Sequence, residues 1–320
     1  MSIQLHFAPL QGYTTAAYRQ IHHNTWGGIT CYYTPFVRIE KGTFRNKDIA
    51  DIAPAANEGI PVVPQMLPRD GNEVHRLTEL FLANGYNRAD INIGCPFPPI
   101  ALHRRGSGIL PYPDAVAELL QAATEYPEMK FSVKMRLGWE NSDEWKRLIP
   151  LFNSTQLHHI TLHPRIGKSQ YRGTICYEKF TAFYEQCRQP IIYNGDILTA
   201  AELQQIAERY PRLAGIMIGR GLLARPYLSA LCQNNISYNI QEIISRTETF
   251  HSNIYKELKR TSQGNTQLMQ RLCALWEYFL SHTPRRERKQ ILKSSSPQQY
   301  ETSVTALFKA WREMPEEEIL

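Results

Sequence analysis

The feature that most constrains the fold is an alternation of short apolar segments with longer amphipathic ones, repeated eight times before about residue 220. The apolar segments are rich in branched residues, as strands are, and the intervening ones carry apolar residues three or four positions apart. Eight strand–helix repeats predict an α/β fold, the closed parallel (β/α)8 TIM barrel, with an open doubly wound sheet as the structural alternative. The predicted strands are 3–9, 29–37, 62–66, 89–94, 131–136, 159–163, 190–195 and 215–219.

The last third of the chain has a different pattern, in which segments 240–258, 266–280 and 298–312 predict helices and nothing predicts a strand. We therefore expect a barrel domain over residues 1–238, followed by an all-α domain over residues 239–320. From Arg246 to Lys293 there are ten Lys and Arg against four Glu, a net charge of +6. This excess is compatible with an anionic partner, although an ordinary solvated surface can carry it too.

Six cysteines are spread along the chain without a C-x-x-C pair or a cysteine–histidine spacing typical of zinc sites. We expect reduced thiols and no metal. The first residues, "MSIQLHFAPLQG", lack the pattern of a signal peptide, and no apolar run approaches the roughly 20 residues of a membrane helix. These features predict a cytoplasmic protein that does not bind membranes, and we expect a monomer.

Polar residues and glycines gather at the predicted strand ends, where barrels of this kind carry their chemistry. The segments "NGD" and "IGRG" follow the seventh and eighth strands, the usual place of a phosphate site, and Arg220 could pair with the phosphate. Either motif alone could be a simple tight turn. Their occurrence at both expected strands favours a phosphate site.

Lys134 and His163 lie on the fifth and sixth predicted strands. The alternation of "SVKMR" directs the Lys134 side chain into the barrel mouth, where a buried ammonium needs an anionic partner unless it reaches the rim. A histidine at a strand end is as often structural as catalytic. These two positions predict an anionic ligand at the barrel mouth.

Cys95 follows the fourth strand in "NIGCP", between a glycine and a proline that restrict the local backbone. The other five cysteines are interpreted as packing residues. A thiol with an ordinary pKa near 8.5 is mostly protonated at neutral pH and can act as an acid as well as a nucleophile. Cys95 is therefore the candidate catalytic thiol.

Taken together, these residues resemble the tRNA-dihydrouridine synthases, a family of FMN-dependent (β/α)8-barrel oxidoreductases with a C-terminal helical domain. The resemblance rests on eight segments that occur in the family's order over roughly residues 8 to 226. They are "APLQG", "PQML", "NIGCP", "GSGILPYPD", "VKMRLGW", "LHPR" followed by "QYRG", "YNGDI" and "IMIGRG".

The resemblance implies a reaction in which NADPH reduces FMN and the flavin reduces the C5–C6 bond of a tRNA uracil. Cys95 would protonate C5, and Lys134 would lie beside the pyrimidine edge of the flavin. The target nucleotide would be turned out of its stack, with Asn92 at the uracil edge and His163 orienting the ring. The residues implied to hold the cofactor are Pro9, Leu10, Gln11, Gln65, Lys134, His163, Asn194, Gly195, Asp196, Gly219 and Arg220.

Within the family, "FVRI", Tyr171 and "MQRL" are most similar to the bacterial subgroup that modifies position 16 of the D-loop. The implied tRNA contacts are Arg38, Asn92, Arg165, Tyr171 and Arg271. The sequence departs from the family at Pro35, at the loop 97–105, at "HPRI" and at Cys273, so its specificity could differ.

Three alternatives remain open at this point. The chain could be an FMN-dependent barrel oxidoreductase that acts on a small-molecule pyrimidine or enone, for which the basic helical segment has no use. It could be a non-catalytic RNA-binding relative, although Cys95, Lys134, His163 and Arg220 are all present. It could also be a barrel scaffold with an incidental thiol, which a yellow purified protein would exclude.

Overall fold

A computed structural model of the chain describes residues 3–232 and 238–315. All eight predicted strands are present, so the TIM barrel is confirmed and the doubly wound alternative is wrong. The strands pair in parallel, each with its neighbour in chain order, and the last pairs with the first. They are β1 (Gln4–Phe7), β2 (Cys31–Tyr33), β3 (Val62–Val63 and Gln65–Met66), β4 (Arg88–Ile93), β5 (Lys130–Gly138), β6 (Ile160–Ile166), β7 (Ile191–Asn194) and β8 (Gly215–Ile218).

The barrel closes through β3, which Pro64 divides into two short parts. Val62–Val63 pairs with β2, whereas Gln65–Met66 pairs with β4. The first and last strands of the sheet are therefore the two parts of β3, and the sheet closes on itself. Proline has no N–H to donate, so the ladder is interrupted at this residue. The interruption turns the strand between its two neighbours without leaving an open sheet edge.

Fourteen helices were identified among the described residues. The three helices predicted over residues 240–258, 266–280 and 298–312 are each present within a few residues of these bounds. The helix Arg285–Lys293 was not predicted. No helix within the ranges 3–232 and 238–315 has the length and apolar character that crossing a bilayer requires. The helices are α1 (Ala16–Thr25), α2 (Asn46–Ile52), α3 (Gly71–Ala83), α4 (Pro98–Ala101), α5 (Pro113–Thr124), α6 (Ile149–Ser154), α7 (Tyr177–Gln186), α8 (Ala200–Arg209), α9 (Arg220–Ala224), α10 (Leu228–Leu231), α11 (Ile240–Thr261), α12 (Gly264–Trp276), α13 (Arg285–Lys293) and α14 (Pro297–Arg312).

The interior of the barrel combines an apolar cluster with rows of polar side chains. Alternate residues of each strand point inward, and residues in register on neighbouring strands lie side by side. One row places Gln65, Asp90 and Ser132 opposite one another, and the next places Asn92 beside Lys134. The apolar cluster consists of Ala8, Cys31, Tyr33, Val63, Ile192 and Met217.

The chain divides into two compact units, each discontinuous in sequence. The first comprises Met1–Ala16, Thr30–Asp196 and Ile206–Ile218 and contains every barrel strand. The second comprises Ala17–Ile29, Ile197–Gln205 and Gly219–Leu320. The predicted boundary between residues 238 and 239 stays a prediction.

The second unit is helical where the structure describes it, and aromatic residues fill its core. Trp276 Nε1 donates to the Tyr300 hydroxyl at 2.8 Å, and His251 Nε2 lies 2.6 Å from the same hydroxyl. At the start of α11 the Asn239 side chain accepts from Glu242 N at 2.9 Å, and the Glu242 carboxylate accepts from Asn239 N. This reciprocal capping explains why the helix begins there.

Candidate active site

Cys95 is held at the carboxyl end of β4 by the side chain of Asn92. The Asn92 Oδ1 atom accepts hydrogen bonds from the backbone N–H of Gly94 at 3.0 Å and of Cys95 at 2.8 Å. Its Nδ2 donates to Gln65 Oε1 on β3 at 2.8 Å. The structure therefore brings together Gln65, Asn92 and Cys95, three of the residues predicted for the site.

The segment Gly106–Ser107 fixes the Cys95 backbone from the other side. Ser107 N and Ser107 Oγ both donate to the Cys95 carbonyl, at 2.9 and 3.0 Å. Gly106 has a φ of +54°, and a Cβ placed on it would lie 2.6 Å from that carbonyl oxygen. Only glycine combines this conformation with this close approach. The thiol thus projects from a restrained backbone.

The Cys95 thiol lies partly exposed against the apolar side chains of Phe36, Leu67 and Ile100. Desolvation raises the pKa of this thiol, and the positive charges of Arg136, Lys134 and Arg38 oppose that shift. The thiol is therefore protonated at neutral pH, while nearby cations would stabilise the thiolate left by proton transfer. This environment suits a proton donor.

Lys134 is half-buried in the barrel mouth, on the strand next to β4. Desolvation, reinforced by Arg136, lowers the pKa of Lys134 to about 8, while Asp90 and Cys95 act in the opposite direction. Its ammonium forms no hydrogen bond or ion pair with another residue of the described parts of the chain. In register with it on β6, the buried Thr161 hydroxyl also lacks a hydrogen-bond partner within those parts. These two groups are available to an anionic or polar ligand.

His163 and Arg165 form a second cluster, at the end of β6. Arg165 NH1 lies 3.1 Å from His163 Nε2 and donates to Asp196 Oδ1 at 3.0 Å. Arg165 NH2 donates to Asp196 Oδ2 at 2.5 Å and to the carbonyl of Gly173 at 2.8 Å. The Arg165 side chain is only 4% exposed. In this arrangement it positions His163 and the loop that contains Gly173.

That loop also packs on Arg136, a residue that the sequence did not single out. The Arg136 guanidinium donates to the carbonyls of Ile166 and Gln170, at 2.9 and 2.5 Å, and lies 5.5 Å from the centre of the Tyr171 ring. Tyr171 is 42% exposed, and its ring centre lies 6.4 Å from that of His163. Tyr171 is therefore partly exposed at the rim of the barrel.

The structure shows how two of the residues predicted to hold a phosphate, Asn194 and Gly195, are held in place. Asn194 Nδ2 donates to the carbonyl of Met217 at 2.8 Å, which ties the end of β7 to β8. A Cβ on Gly195 would lie 2.0 Å from the Tyr193 hydroxyl, so this turn requires glycine. Gly219 and Arg220 directly follow β8 and belong to the second compact unit. Their role as phosphate ligands stays a prediction.

The other predicted site residues lie on separate elements, and of these Arg38 is near enough to Cys95 to oppose the rise in the pKa of its thiol. Pro9 and Leu10 are half-buried and Gln11 is exposed, in the turn after β1. Arg38 forms an ion pair with Glu40 at 3.2 Å. Arg271, in the second unit, donates to Thr261 Oγ1 at 2.8 Å and to Ser262 Oγ at 3.2 Å. None of these contacts tests the predicted roles in cofactor or tRNA binding.

The chain was compared with protein families, with curated proteins and with solved structures. A family model described as "Dihydrouridine synthase (Dus)" matches residues 6–312. That match covers both compact units, including the helices after the barrel.

Among curated proteins, tRNA-dihydrouridine synthase B of Pasteurella multocida (strain Pm70) is 26% identical over 235 residues, which are 73% of this chain and 70% of that protein. A probable tRNA-dihydrouridine synthase of Rhizobium leguminosarum bv. phaseoli is 32% identical over 168 residues, 51% of this chain and 53% of the relative. A Staphylococcus aureus (strain Mu50) protein of the same name is 33% identical over 165 residues, 49% of either chain. The alignments thus span about half the length of the second and third relatives.

Solved structures share the fold of this chain at low sequence identity. Morphinone reductase matches 75% of this chain and 88% of its own, with a TM-score of 0.52 and 11% identity. The old yellow enzyme from Trypanosoma cruzi matches 78% and 96%, with a TM-score of 0.52 and 9% identity. At such identities the likeness concerns the barrel alone.

Proposed function

The chain belongs to the dihydrouridine synthase (Dus) family, and we propose that it is a tRNA-dihydrouridine synthase that reduces the C5–C6 double bond of D-loop uridines with FMN and NADPH. The observation that carries this proposal is the pairing of a protonated thiol, Cys95, with the Lys134 ammonium, which forms no hydrogen bond or ion pair among the described residues, on neighbouring strands of one barrel mouth. An acid and an anion-binding cation are the two groups that such a reduction needs from the protein.

The residues of the barrel mouth fit FMN. Lys134 offers the positive charge that would lie against the electron-rich pyrimidine edge of the flavin, with Gln65 nearby on β3. Pro9, Leu10 and Gln11, together with His163, Asn194, Gly195, Asp196, Gly219 and Arg220, complete the proposed binding set. When bound, FMN supplies a hydride for C6 of the uracil, and NADPH supplies the electrons that renew it.

Cys95 acts as the general acid. Addition of hydride at C6 places negative charge on the C5 side of the ring, and transfer of the Sγ proton to C5 completes the saturated bond. The sulfur is left as a thiolate, which Arg136, Lys134 and Arg38 stabilise before water returns the proton. Because burial keeps the thiol protonated beforehand, the acid is ready at neutral pH.

The substrate uracil has to leave the tRNA stack to reach this mouth. Asn92 lies beside the Cys95 backbone and would face the uracil edge, and His163 would orient the ring from β6. Arg165 supports His163 through a direct hydrogen bond. The exposed Tyr171 at the rim offers a surface on which a nucleotide could stack.

Arg38 and Arg271 are the further proposed tRNA contacts, and position 16 is the proposed target. The basic segment from Arg246 to Lys293, with ten Lys and Arg against four Glu, would bind the phosphate backbone. Binding through phosphates weakens as salt is raised, since counterions are released.

The experiment uses the purified chain with FMN, NADPH and an unmodified tRNA transcript. Mass spectrometry of nuclease fragments should find a D-loop uridine heavier by two hydrogen atoms, and only when all components are present. A small enone is offered in parallel. Reduction of the enone with no change in the tRNA would overturn the proposal and favour a small-molecule oxidoreductase.

A further inference from the structure

Asp90 is a buried carboxylate that none of the roles above uses. It lies on β4, two residues before Asn92, with none of its surface exposed. Its Oδ2 accepts from Gln65 Nε2 at 2.7 Å, and its Oδ1 accepts from Ser132 Oγ at 2.6 Å. Burying a carboxylate is costly unless it is hydrogen-bonded, so this arrangement calls for a functional explanation.

The hydrogen bonds that start at Asp90 have one direction. The Gln65 amide turns its NH2 group towards Asp90 Oδ2, which accepts, and its oxygen towards Asn92. Asn92 must then donate through Nδ2, at 2.8 Å. This leaves Asn92 Oδ1 facing the backbone N–H groups of Gly94 and Cys95. Asp90 Oδ2 accepts at one end of this chain of hydrogen bonds and two backbone N–H groups donate at the other, so both ends require the same orientation of the two amides.

We propose that Asp90 is a positioning residue, which orients the Gln65 and Asn92 amides and through them holds the Cys95 backbone in place for proton transfer. The inference rests on the proposed function, because it assigns a consequence for the acid of that reaction. Asp90 itself lies below the site and touches neither cofactor nor substrate in this scheme.

The pKa of Asp90 lies above the ordinary carboxyl value, because burial raises it more than the hydrogen bonds from Gln65 and Ser132 and the charges of Lys134 and Arg88 lower it. In return, Asp90 raises the pKa of Lys134. One carboxylate thus supports both the thiol backbone and the ammonium of the barrel mouth.

The test compares three variants of the FMN-loaded enzyme. Asp90→Ala removes the acceptor and frees the amides to turn, Asp90→Asn can still accept from Gln65, and Ser132→Ala removes only the other hydrogen bond of Asp90. We expect Asp90→Ala to lower kcat roughly tenfold or more, since small displacements of a catalytic group are costly. The KM for tRNA should stay within about twofold, because the phosphate contacts are unaffected. Asp90→Asn should largely restore kcat, and Ser132→Ala should leave it near the wild-type value.

A second readout needs no turnover. The rate at which iodoacetamide alkylates each cysteine is followed by peptide mass spectrometry at one pH. We expect Cys95 to react several times faster in Asp90→Ala than in the wild type, because its backbone is released, while Cys273 reacts at an unchanged rate. If Asp90→Ala does not fold, Asp90→Ser replaces it, because its hydroxyl is too short to reach the Gln65 amide.

Unchanged kcat and unchanged Cys95 alkylation in Asp90→Ala would overturn the inference. So would an equal loss of kcat in Ser132→Ala, which would indicate a general structural role. Absence of any activity on tRNA in the wild type would refute the proposed function instead, and the alkylation rates would still report on the hydrogen-bonded chain.

Discussion

The guanidinium of Arg165 donates to Nε2 of His163 at 3.1 Å, and this contact fixes the state of the imidazole. Arginine is always a donor, so Nε2 has to accept and the ring proton has to lie on Nδ1. His163 thereby accepts from Arg165 through Nε2. Asp196 in turn holds the guanidinium through two hydrogen bonds.

The Arg165–Asp196 pair predicts an asymmetry between two single substitutions. Asp196→Ala leaves a guanidinium that is 4% exposed without its carboxylate, whereas Arg165→Met leaves a carboxylate that is 43% exposed and can be hydrated. We expect Asp196→Ala to lower the free energy of unfolding by about 2–3 kcal/mol, and Arg165→Met by about 1 kcal/mol. Urea denaturation measures both. Equal losses, or a larger loss for Arg165→Met, would contradict this account of the pair.

Lys134→Met keeps the aliphatic stem and removes the ammonium. We expect FMN to bind roughly ten- to a hundredfold more weakly, because a hydrogen bond to a charged group contributes about 1.5–3 kcal/mol. Quenching of flavin fluorescence measures the affinity. Lys130→Met, at the exposed other end of β5, is the matched control and should bind FMN normally.

The pKa of Lys134 adds a pH dependence to the same titration. The ammonium is present below a pKa of about 8 and is lost above it, so FMN affinity should decline as the pH rises through that value. In Lys134→Met this decline should be absent. A wild-type affinity that is flat across this range would argue against contact between Lys134 and an anionic group.

Gly106→Ala tests whether the Cys95 backbone has to stay where it is. The added Cβ would lie 2.6 Å from the Cys95 carbonyl oxygen, and the φ of +54° adds strain. We expect kcat on tRNA to fall roughly tenfold or more, since small displacements of catalytic groups are costly. Gly85→Ala is the control, because Gly85 has a φ of +79° and nothing within 4 Å of an added Cβ. A similar loss of kcat in both variants would assign the effect to backbone strain alone.

Buried histidines predict that the protein is destabilised by acid. His6 is 2% exposed, its Nδ1 lies 3.0 Å from the Tyr33 hydroxyl, and that hydroxyl lies 3.1 Å from His159 Nε2. Desolvation, with Arg88 and His158 adding to it, lowers the pKa of His6 from 6.5 to about 3. Between pH 6.5 and about 3, His6 binds a proton in the unfolded chain but not in the folded protein. The contribution of His6 to the free energy of unfolding is therefore complete above pH 6.5 and is lost as the pH falls towards 3.

The measurement is the urea midpoint as a function of pH. His6 should contribute a slope of about 1.4 kcal/mol per pH unit between these limits. His6→Gln should flatten the curve by that amount, whereas substitution of the exposed His103 should leave it unchanged. A wild-type slope that persists in His6→Gln would contradict the assignment.

Local pattern was enough to predict the barrel, because each strand and helix carries its own periodicity. The α13 segment "RRERKQILK" was missed since only Ile291 in it is buried, which leaves almost no apolar face to recognise. Likewise, no periodicity encodes the contacts that join His251 and Trp276 to the Tyr300 hydroxyl in the second unit.

The positions of the candidate site residues at strand ends could be predicted from the sequence, whereas their partners on neighbouring strands could not. Cys95, Lys134 and His163 follow from their positions on single strands. The alternation of residues along β4 predicts that Asp90 points into the barrel. Its hydrogen bonds, however, depend on the strand register that places it opposite Gln65 and Ser132. Register between strands is a property of the closed barrel, so one sequence does not carry it. The pairing of Arg165 with Asp196 was missed for the same reason.

The most direct test of the account is single-turnover reduction of tRNA by Cys95→Ala enzyme that has been loaded with FMN and reduced beforehand. We expect FMN content to stay at the wild-type level and dihydrouridine formation to fall by about a hundredfold, within the range typical of losing a general acid. Cys273→Ala, which removes a half-buried thiol of the second unit, should react like the wild type. Dihydrouridine formed by Cys95→Ala at the wild-type rate would contradict the central claim that this thiol donates the proton.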